Sequence, residues 1–524
     1  MRMENMTKRL SDDQHIKLYL VIAVVALLFS HSLSQTPQKY LLLKAGLHFD
    51  SNVSGGKYSP AELADIIDRN GLDVGIITDH DNMKVTYGIR PFEQFLKFSI
   101  EENSVKKHGF ERYIGEINAL DQMYKNLILI PGIEAVPYYQ WSGSPMLENL
   151  KLKNWHTHLL VFGIDDPAIL KNIPSVANGL GYKRPSGQIM KYISENFMHF
   201  GLIALYFMLF LIALLFIIRR KRDLVDIGRI RHHRRRYRFS FLALVIAAIL
   251  GLILYQQYPW LPPRYTPYDA EPGIGPFQVL IDYVNANKGL VFWAHPEVAH
   301  DEKRPVNIPL LSQTISISTE AYPHHISDAQ NYTGFAIFWE GMKVVGKPGG
   351  LWDMVLNEFC NGIRTKPVWA VGELDFEEAN ELSNVTETST FIFARERTRA
   401  AVYEAMRAGR MYTTRGHFGN KAVLEDFSVY DMYSGRTAFI GETLPNVTPP
   451  VAIHVRIRPL VKLEINDAVL LYRNRELIKK FRFTGALDEW FVDEEKVPAK
   501  MYYYRIFLGE NWPTLASNPI FVSK

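Results

Sequence analysis

Short apolar runs that stop abruptly on charged residues recur along this chain. "LLLKAGLHFD" ends on His48 and Asp50 before a Ser/Gly turn, and the run 72–78 ends on Asp79, His80 and Asp81. "NLILIPGIEAV" reaches Glu134, "HTHLLVFGID" carries His156 and His158, "KGLVFWAHPE" ends at His295, and "KPVWAVGELDFEE" ends with Glu373, Asp375 and Glu377. Near-continuous apolar runs of this length predict strands buried on both faces, as in parallel sheets. Between the first two, Ser59 as N-cap, Pro60 at the first helical position and Glu62 three residues after the cap predict a helix over 60–70 that stops at Gly71. The result is a βαβ unit with polar residues at the C-terminal ends of its strands, where α/β folds place their sites.

Residues two apart on a strand share a face, so His48 and Asp50 should converge, and so should His156 and His158. Six strand ends then deliver imidazoles and carboxylates to one rim. Cys360 is the only cysteine, which excludes an intramolecular disulfide and a cysteine-based zinc site. A cluster built from His, Asp and Glu suits divalent zinc, manganese, iron or magnesium, commonly with bridging carboxylates.

Three longer apolar runs interrupt the pattern. Residues 197–218 are apolar except for His199, long enough for a transmembrane helix; residues 239–255, flanked by Tyr237, Tyr258 and Trp260, are predicted to span as well. The run 18–30 follows Lys8, Arg9 and Lys17 and reads as a signal peptide or a short signal anchor, two alternatives that stay open. Between the two spans, residues 219–238 hold ten Lys/Arg against two Asp. The positive-inside rule makes this a cytoplasmic loop with possible contact to anionic lipid, so a nucleic-acid partner is not expected. The soluble segments on either side would then lie together outside the membrane.

From about residue 419 helical signals give way to alternating strands such as "VAIHVRIRPL", predicting an antiparallel β-rich domain. With 524 residues, 47% hydrophobic, the chain has material for several cores and is not a disordered protein. Expected boundaries are 1–35 for the signal segment, 36–196 and 259–418 for the two parts of one α/β domain, 197–218 and 239–258 for the spans, and 419–524 for the β-rich tail.

The ordered series "GLHFDSNVSGG", "GIITDHDN", "LILIPGIEAV", "HTHLLVFGID", "LVFWAHPE" and "VWAVGELDFE" resembles the PHP (polymerase and histidinol phosphatase) family, and the tail strand "ASNPIFV" its carbaryl-hydrolase-like branch. The resemblance covers about residues 41–414 apart from the membrane hairpin. It implies an α/β fold: a distorted (β/α)7-type barrel, interrupted here by the hairpin and followed by a β-sandwich-like domain. It further implies that His48, Asp50, His80, Glu134, His158, His295, Asp375 and Glu377 hold two or three divalent ions (Mn, Zn, Fe or Mg), with Glu134 bridging. Asp50 and Glu377 stand where the family usually has histidine, which shifts the ligand set toward oxygen-loving metals.

The implied activity is a membrane-bound phosphoesterase that attacks with a metal-activated water, Asp79 or Asp81 orienting a ligand or moving a proton and His156 contacting phosphate. Rival readings are hydrolysis of a carboxyl or carbamate ester or an amide on the same site, and an inactive binding or sensor module. The expected partners are a small ester substrate and the bilayer; the sequence does not set the oligomeric state. Arg90, Arg395 and Arg415 are candidate phosphoryl contacts, Tyr138, Tyr139 and Trp141 candidate pocket walls, and His324 and His325 a rim segment.

Overall fold

The computed structural model describes residues 40–89, 95–178, 182–184, 186–227, 230–258, 260–270, 272–308, 311–338, 340–377, 385–461, 466–510 and 512–524. The expected signal segment and Arg90 lie outside them.

Seven strands form the barrel: β1 (Leu41–Phe49), β2 (Val74–Ile77), β3 (Ile128–Ala135), β4 (Leu159–Phe162), β5 (Leu290–Trp293), β6 (Gly334–Phe338) and β7 (Trp369–Gly372). They are neighbours in chain order. The ring closes where the segment after β7 returns to β1, through a parallel bridge between Phe49 and Phe376 and hydrogen bonds from Leu374 N to Leu47 O (2.9 Å) and Phe376 N to His48 O (3.1 Å). All these strands run one way except β4, which is antiparallel to β3 and β5. The expectation that this strand carries His156 and His158 is corrected, since it begins only at Leu159. Both precede β4, and because β4 points the other way, its N-terminal end lies on the same rim as the C-terminal ends of the others.

Helix α1 (Pro60–Arg69) starts with the capping box read from the sequence, Ser59 and Glu62 satisfying each other's backbone. It buries Leu63, Ala64 and Ile67 against the barrel, and α2 (Phe110–Met123) adds Phe110, Tyr113, Ile114 and Ile117 to the same core. Each such aliphatic or aromatic side chain contributes about 1.5–3 kcal/mol when fully buried.

Helix α3 (Phe197–Ile217) is long and apolar enough to cross a membrane by length and composition, and most of its large side chains, Leu205, Phe207 and Leu211 among them, are exposed. Helix α4 (Phe241–Gln256) is shorter, at 16 residues. Between them the basic segment is not a loop: Ile218–Ile227 and Ile230–Phe239 form an antiparallel ribbon in register from Ile218/Phe239 to Ile227/Ile230. The pairing continues the two helices without a break.

The β-rich tail is less separate than its alternating pattern suggests. Strand β8 (Thr388–Ala394) pairs with β1, β9 (Met411–Arg415) pairs with β8, and β9 then pairs with Leu515–Ser517 of the tail, so one sheet runs from barrel to tail. A second sheet, built on Ala422–Asp431, Val451–Pro459 and Leu487–Asp493, closes a core around Phe427, Ile453 and Leu471. Asn518, fully buried, binds the barrel as a backbone strand would, its Oδ1 accepting from Ala370 N (2.7 Å) and its Nδ2 donating to Ala370 O (3.2 Å).

Candidate metal centre

Strand β1 does not alternate cleanly to its end. Its register against β2 shifts between Leu47 and Phe49, and His48 sits at φ 69°, a left-handed conformation uncommon outside glycine. The bulge turns His48 Nε2 to within 3.7 Å of Asp50 Oδ2, the juxtaposition expected from the two-residue spacing, reached by a kinked backbone. His295 (φ 24°) and Asp375 (φ 49°) are also left-handed, and both lie at this rim. Non-glycine residues in such conformations gather where a site's geometry overrides local preference.

The Ser/Gly turn after Asp50 is tied down by Asp79, whose carboxylate accepts from Ser51 N and Oγ (both 2.8 Å) and from Ser54 N (3.1 Å) and Oγ (2.6 Å). Ser54 Oγ also lies 3.0 Å from Asp50 Oδ1. The turn folds back so closely that a Cβ at Gly56 would come within 2.0 Å of the Asp50 carbonyl oxygen, so only glycine fits. Asp79 is therefore committed to the scaffold and holds Asp50 indirectly. Asp81 accepts from Val136 N (3.1 Å) and faces a separate small pocket beside Lys106 and Phe110. Both aspartates, proposed from the sequence to orient a ligand or move a proton, are engaged with backbone and serine groups of the scaffold.

Glu134 is the centre of the cluster. Its Oε2 lies 2.9 Å from His80 Nδ1 and 3.4 Å from His48 Nε2, and its Oε1 lies 2.5 Å from His158 Nδ1 and 3.3 Å from His295 Nε2. His80, Glu134 and His158 can each turn one ligand atom to a common point, and so can His48, Asp50 and Asp375. His48 Nε2, His80 Nδ1, His158 Nδ1 and Asp50 Oδ2 are buried without a hydrogen-bond partner despite these short approaches. The atoms are close but not aligned to bond each other, the arrangement of donors aimed at a shared point. Buried polar groups without a partner are otherwise rare.

The far side of the rings supports the same conclusion. His48 Nδ1 meets Glu373 Oε2 at 3.2 Å, His158 Nε2 meets the Trp155 carbonyl at 3.2 Å, and His295 Nδ1 meets the Tyr322 hydroxyl at 3.2 Å, a hydroxyl that donates to Ala294 O (2.7 Å). Protein acceptors thus hold the outer ring proton of three imidazoles and leave the inner nitrogen's lone pair facing the cluster, as metal-binding histidines require. Glu373 and Tyr322 were not singled out as site residues from the sequence. Glu373 carried a signal, since it shares the two-residue spacing of Asp375 and Glu377; Tyr322 carried none.

Burial opposes charge on the His48, His80 and His295 rings, but Glu134, with Asp375 beside His48 and His295, outweighs it; His48 is held well above the ordinary histidine range, His80 near 10 and His295 near 9. Burial would raise the Glu134 carboxyl, yet His158, His80 and His48 pull it well below the usual range. Burial lowers His158 to about 4. The carboxylates at this rim call for positive charge, which protons supply on some rings and a bound cation would supply in their place.

A cavity of about 390 Å³ opens above the cluster, and His80, His158, His295, Asp375 and Glu377 face it. Glu377 stands at the mouth near Gly55, outside both convergent groups. His156 also lines the cavity, its backbone N–H donating to Thr319 Oγ1 (3.1 Å), and its ring lies tilted against that of His300 with centroids 4.0 Å apart. His300 went unnoticed in the sequence because it opens a hairpin, His300–Ile308 with Leu311–Thr319, that the apolar pattern did not announce. Arg415 is engaged with the Pro513 carbonyl (2.8 Å) and the Trp512 ring, and Arg395 is exposed. Tyr138, Tyr139 and Trp141 pack in apolar clusters, and half-buried His325 lies against Phe277 and Trp293; none of them lines this cavity.

No family model and no curated protein matches the sequence. Among solved structures, the chain is similar to a two-domain protein from Bacteroides vulgatus containing a predicted PHP-like metal-dependent phosphoesterase, at 12% identity over 94% of this chain and 98% of that one, with a TM-score of 0.35. It is also similar to a candidate metal-dependent phosphoesterase from Bifidobacterium adolescentis (15% identity, 64% and 87% coverage, TM-score 0.25). A third is an amidohydrolase from Chromobacterium violaceum solved with bound sulfate and no metal (14% identity, 64% and 88% coverage, TM-score 0.24). Likeness this distant transfers no chemistry, and the site is read from its own geometry.

Proposed function

We propose that this protein is a metal-dependent hydrolase of the PHP type acting on ester bonds, phosphate esters foremost. The observation that carries the reading is the set of three imidazoles whose outer nitrogens are held by Glu373, Trp155 and Tyr322 while their inner nitrogens face Glu134. His80, Glu134 and His158 would hold one ion and His48, Asp50 and Asp375 another, with Glu134 within reach of both groups. His295 would complete the set. Carboxylate oxygens at Asp50, Glu134 and Asp375 favour manganese, magnesium or iron over zinc.

Bound divalent ions supply Lewis acidity toward an ester oxygen and make a water acidic enough to attack at neutral pH. The chain's own residues do the rest. Glu373 fixes the His48 ring, Asp79 fixes the turn that carries Asp50 through Ser54, and the buried barrel floor excludes bulk water beneath the cluster. Activity should vanish on chelation, return with added manganese, and fall to background in Glu134→Ala. An undiminished rate in Glu134→Ala would refute the reading.

We further propose that α3 and α4 anchor the protein in a bilayer, with the basic ribbon on the cytoplasmic side and the barrel outside. The exposed apolar side chains of α3 and the Lys/Arg content of the ribbon support this. Extraction of the protein from membranes by alkaline carbonate without detergent would refute it.

A further inference from the structure

The described residues lining the cavity include five histidines and the carboxylates of Glu102, Glu134, Asp375 and Glu377, but no lysine or arginine. Two cations reach residues of this wall and are already engaged there: Arg304 pairs with Glu102 and with Glu302 (2.8 Å), and Lys107 donates to Asn103 Oδ1 (3.1 Å). Two doubly charged ions would be balanced by Asp50, Glu134, Asp375 and the adjoining Glu373. Glu102 is neutralised by Arg304, so among the described residues Glu377 leaves the upper cavity with surplus negative charge. A phosphomonoester, doubly negative near neutral pH, would enter without the Arg or Lys fork that usually meets such a group.

The strand that carries His300 offers a different kind of contact. His156 and His300 stand side by side, and the Nε2 atom of each is buried without a hydrogen-bond partner. Both residues line the cavity, and a turn of either ring would bring its unpartnered Nε2 to an ester or alcohol oxygen there.

We infer that the substrate is a phosphodiester rather than a phosphomonoester, with its second ester arm held by His156 and His300. The inference rests on the hydrolase reading above. Water adds to phosphorus, one P–O ester bond breaks, the departing oxygen takes a proton from that water and leaves as an alcohol, and a phosphomonoester remains. That product carries more negative charge than the substrate, so Glu377 favours its release.

The test compares bis(4-nitrophenyl) phosphate with 4-nitrophenyl phosphate on full-length, manganese-loaded protein in detergent. The expected result is a kcat/KM at least about tenfold higher for the diester, and a KM for the diester raised severalfold in His300→Ala with metal content and monoester KM unchanged. Equal or faster turnover of the monoester would overturn the inference while leaving the hydrolase reading intact. An unchanged diester KM in His300→Ala would overturn the subsite. Turnover of neither compound by metal-loaded protein would overturn both readings together.

Discussion

Glu373 grips two parts of the cluster at once: its Oε2 lies 3.2 Å from His48 Nδ1, and its Oε1 accepts a 2.6 Å hydrogen bond from the backbone N–H of His295. One buried carboxylate therefore sets a ring orientation on β1 and the position of the residue that follows β5. Outer partners of metal-binding histidines commonly cost 10–100-fold in metal affinity when lost. Glu373→Gln should weaken manganese binding by about that factor in titration calorimetry, with the fold retained by circular dichroism. An unchanged affinity would remove Glu373 from the account.

Asp353 and Arg505 join barrel to tail without access to water. Arg505 Nη2 lies 2.5 Å from Asp353 Oδ2, Tyr503 donates to Asp353 Oδ1 at 2.5 Å, and the guanidinium covers the Trp352 ring at 4.5 Å. Breaking one side of such a pair strands a buried charge and costs about 3–5 kcal/mol. Asp353→Ala should lower stability by about that amount in urea unfolding. The double variant Asp353→Leu/Arg505→Met should recover most of it, because neither charge is then stranded.

His454 lies between two carboxylates, 2.6 Å from Asp426 Oδ2 and 2.7 Å from Asp488 Oδ1, and stacks on Trp490. Burial works against its charge, but the two aspartates prevail and raise its pKa. A histidine whose folded pKa exceeds its unfolded value stabilises fully below the unfolded pKa, about 6.5, and loses that contribution as pH rises through the folded value. The stability difference between wild type and His454→Gln should therefore be largest at about pH 6 and shrink at higher pH. A difference that grows with pH would contradict the imidazolium bridge.

The barrel was legible because its strands are buried on both faces and stop on charge, a pattern that survives without knowledge of pairing. His48 with Asp50 was legible from spacing even though the strand is bulged there. The direction of β4 was not, since an isolated apolar run carries no sign of which way it will pair; His158 reached the expected rim by the opposite end of its strand. The hairpin that brings His300 into the cavity opens with "HDEKRPVNI", which alternates poorly, and only Ile315 and Ile317 in its return strand, both fully buried, mark a packed face. The continuity of the barrel sheet with the tail depends on pairing of Met411–Arg415 with Leu515–Ser517, a contact across about a hundred residues that local pattern does not encode.

The central claim is that Glu134 and its surrounding imidazoles hold divalent ions, and elemental analysis of the purified full-length protein beside Glu134→Ala tests it most directly. The account predicts two or three equivalents of manganese or iron per chain in the wild type and loss of most of them in the variant. A wild-type protein that stays metal-free when manganese, iron, zinc and magnesium are supplied, or a variant that retains the wild-type complement, would contradict it.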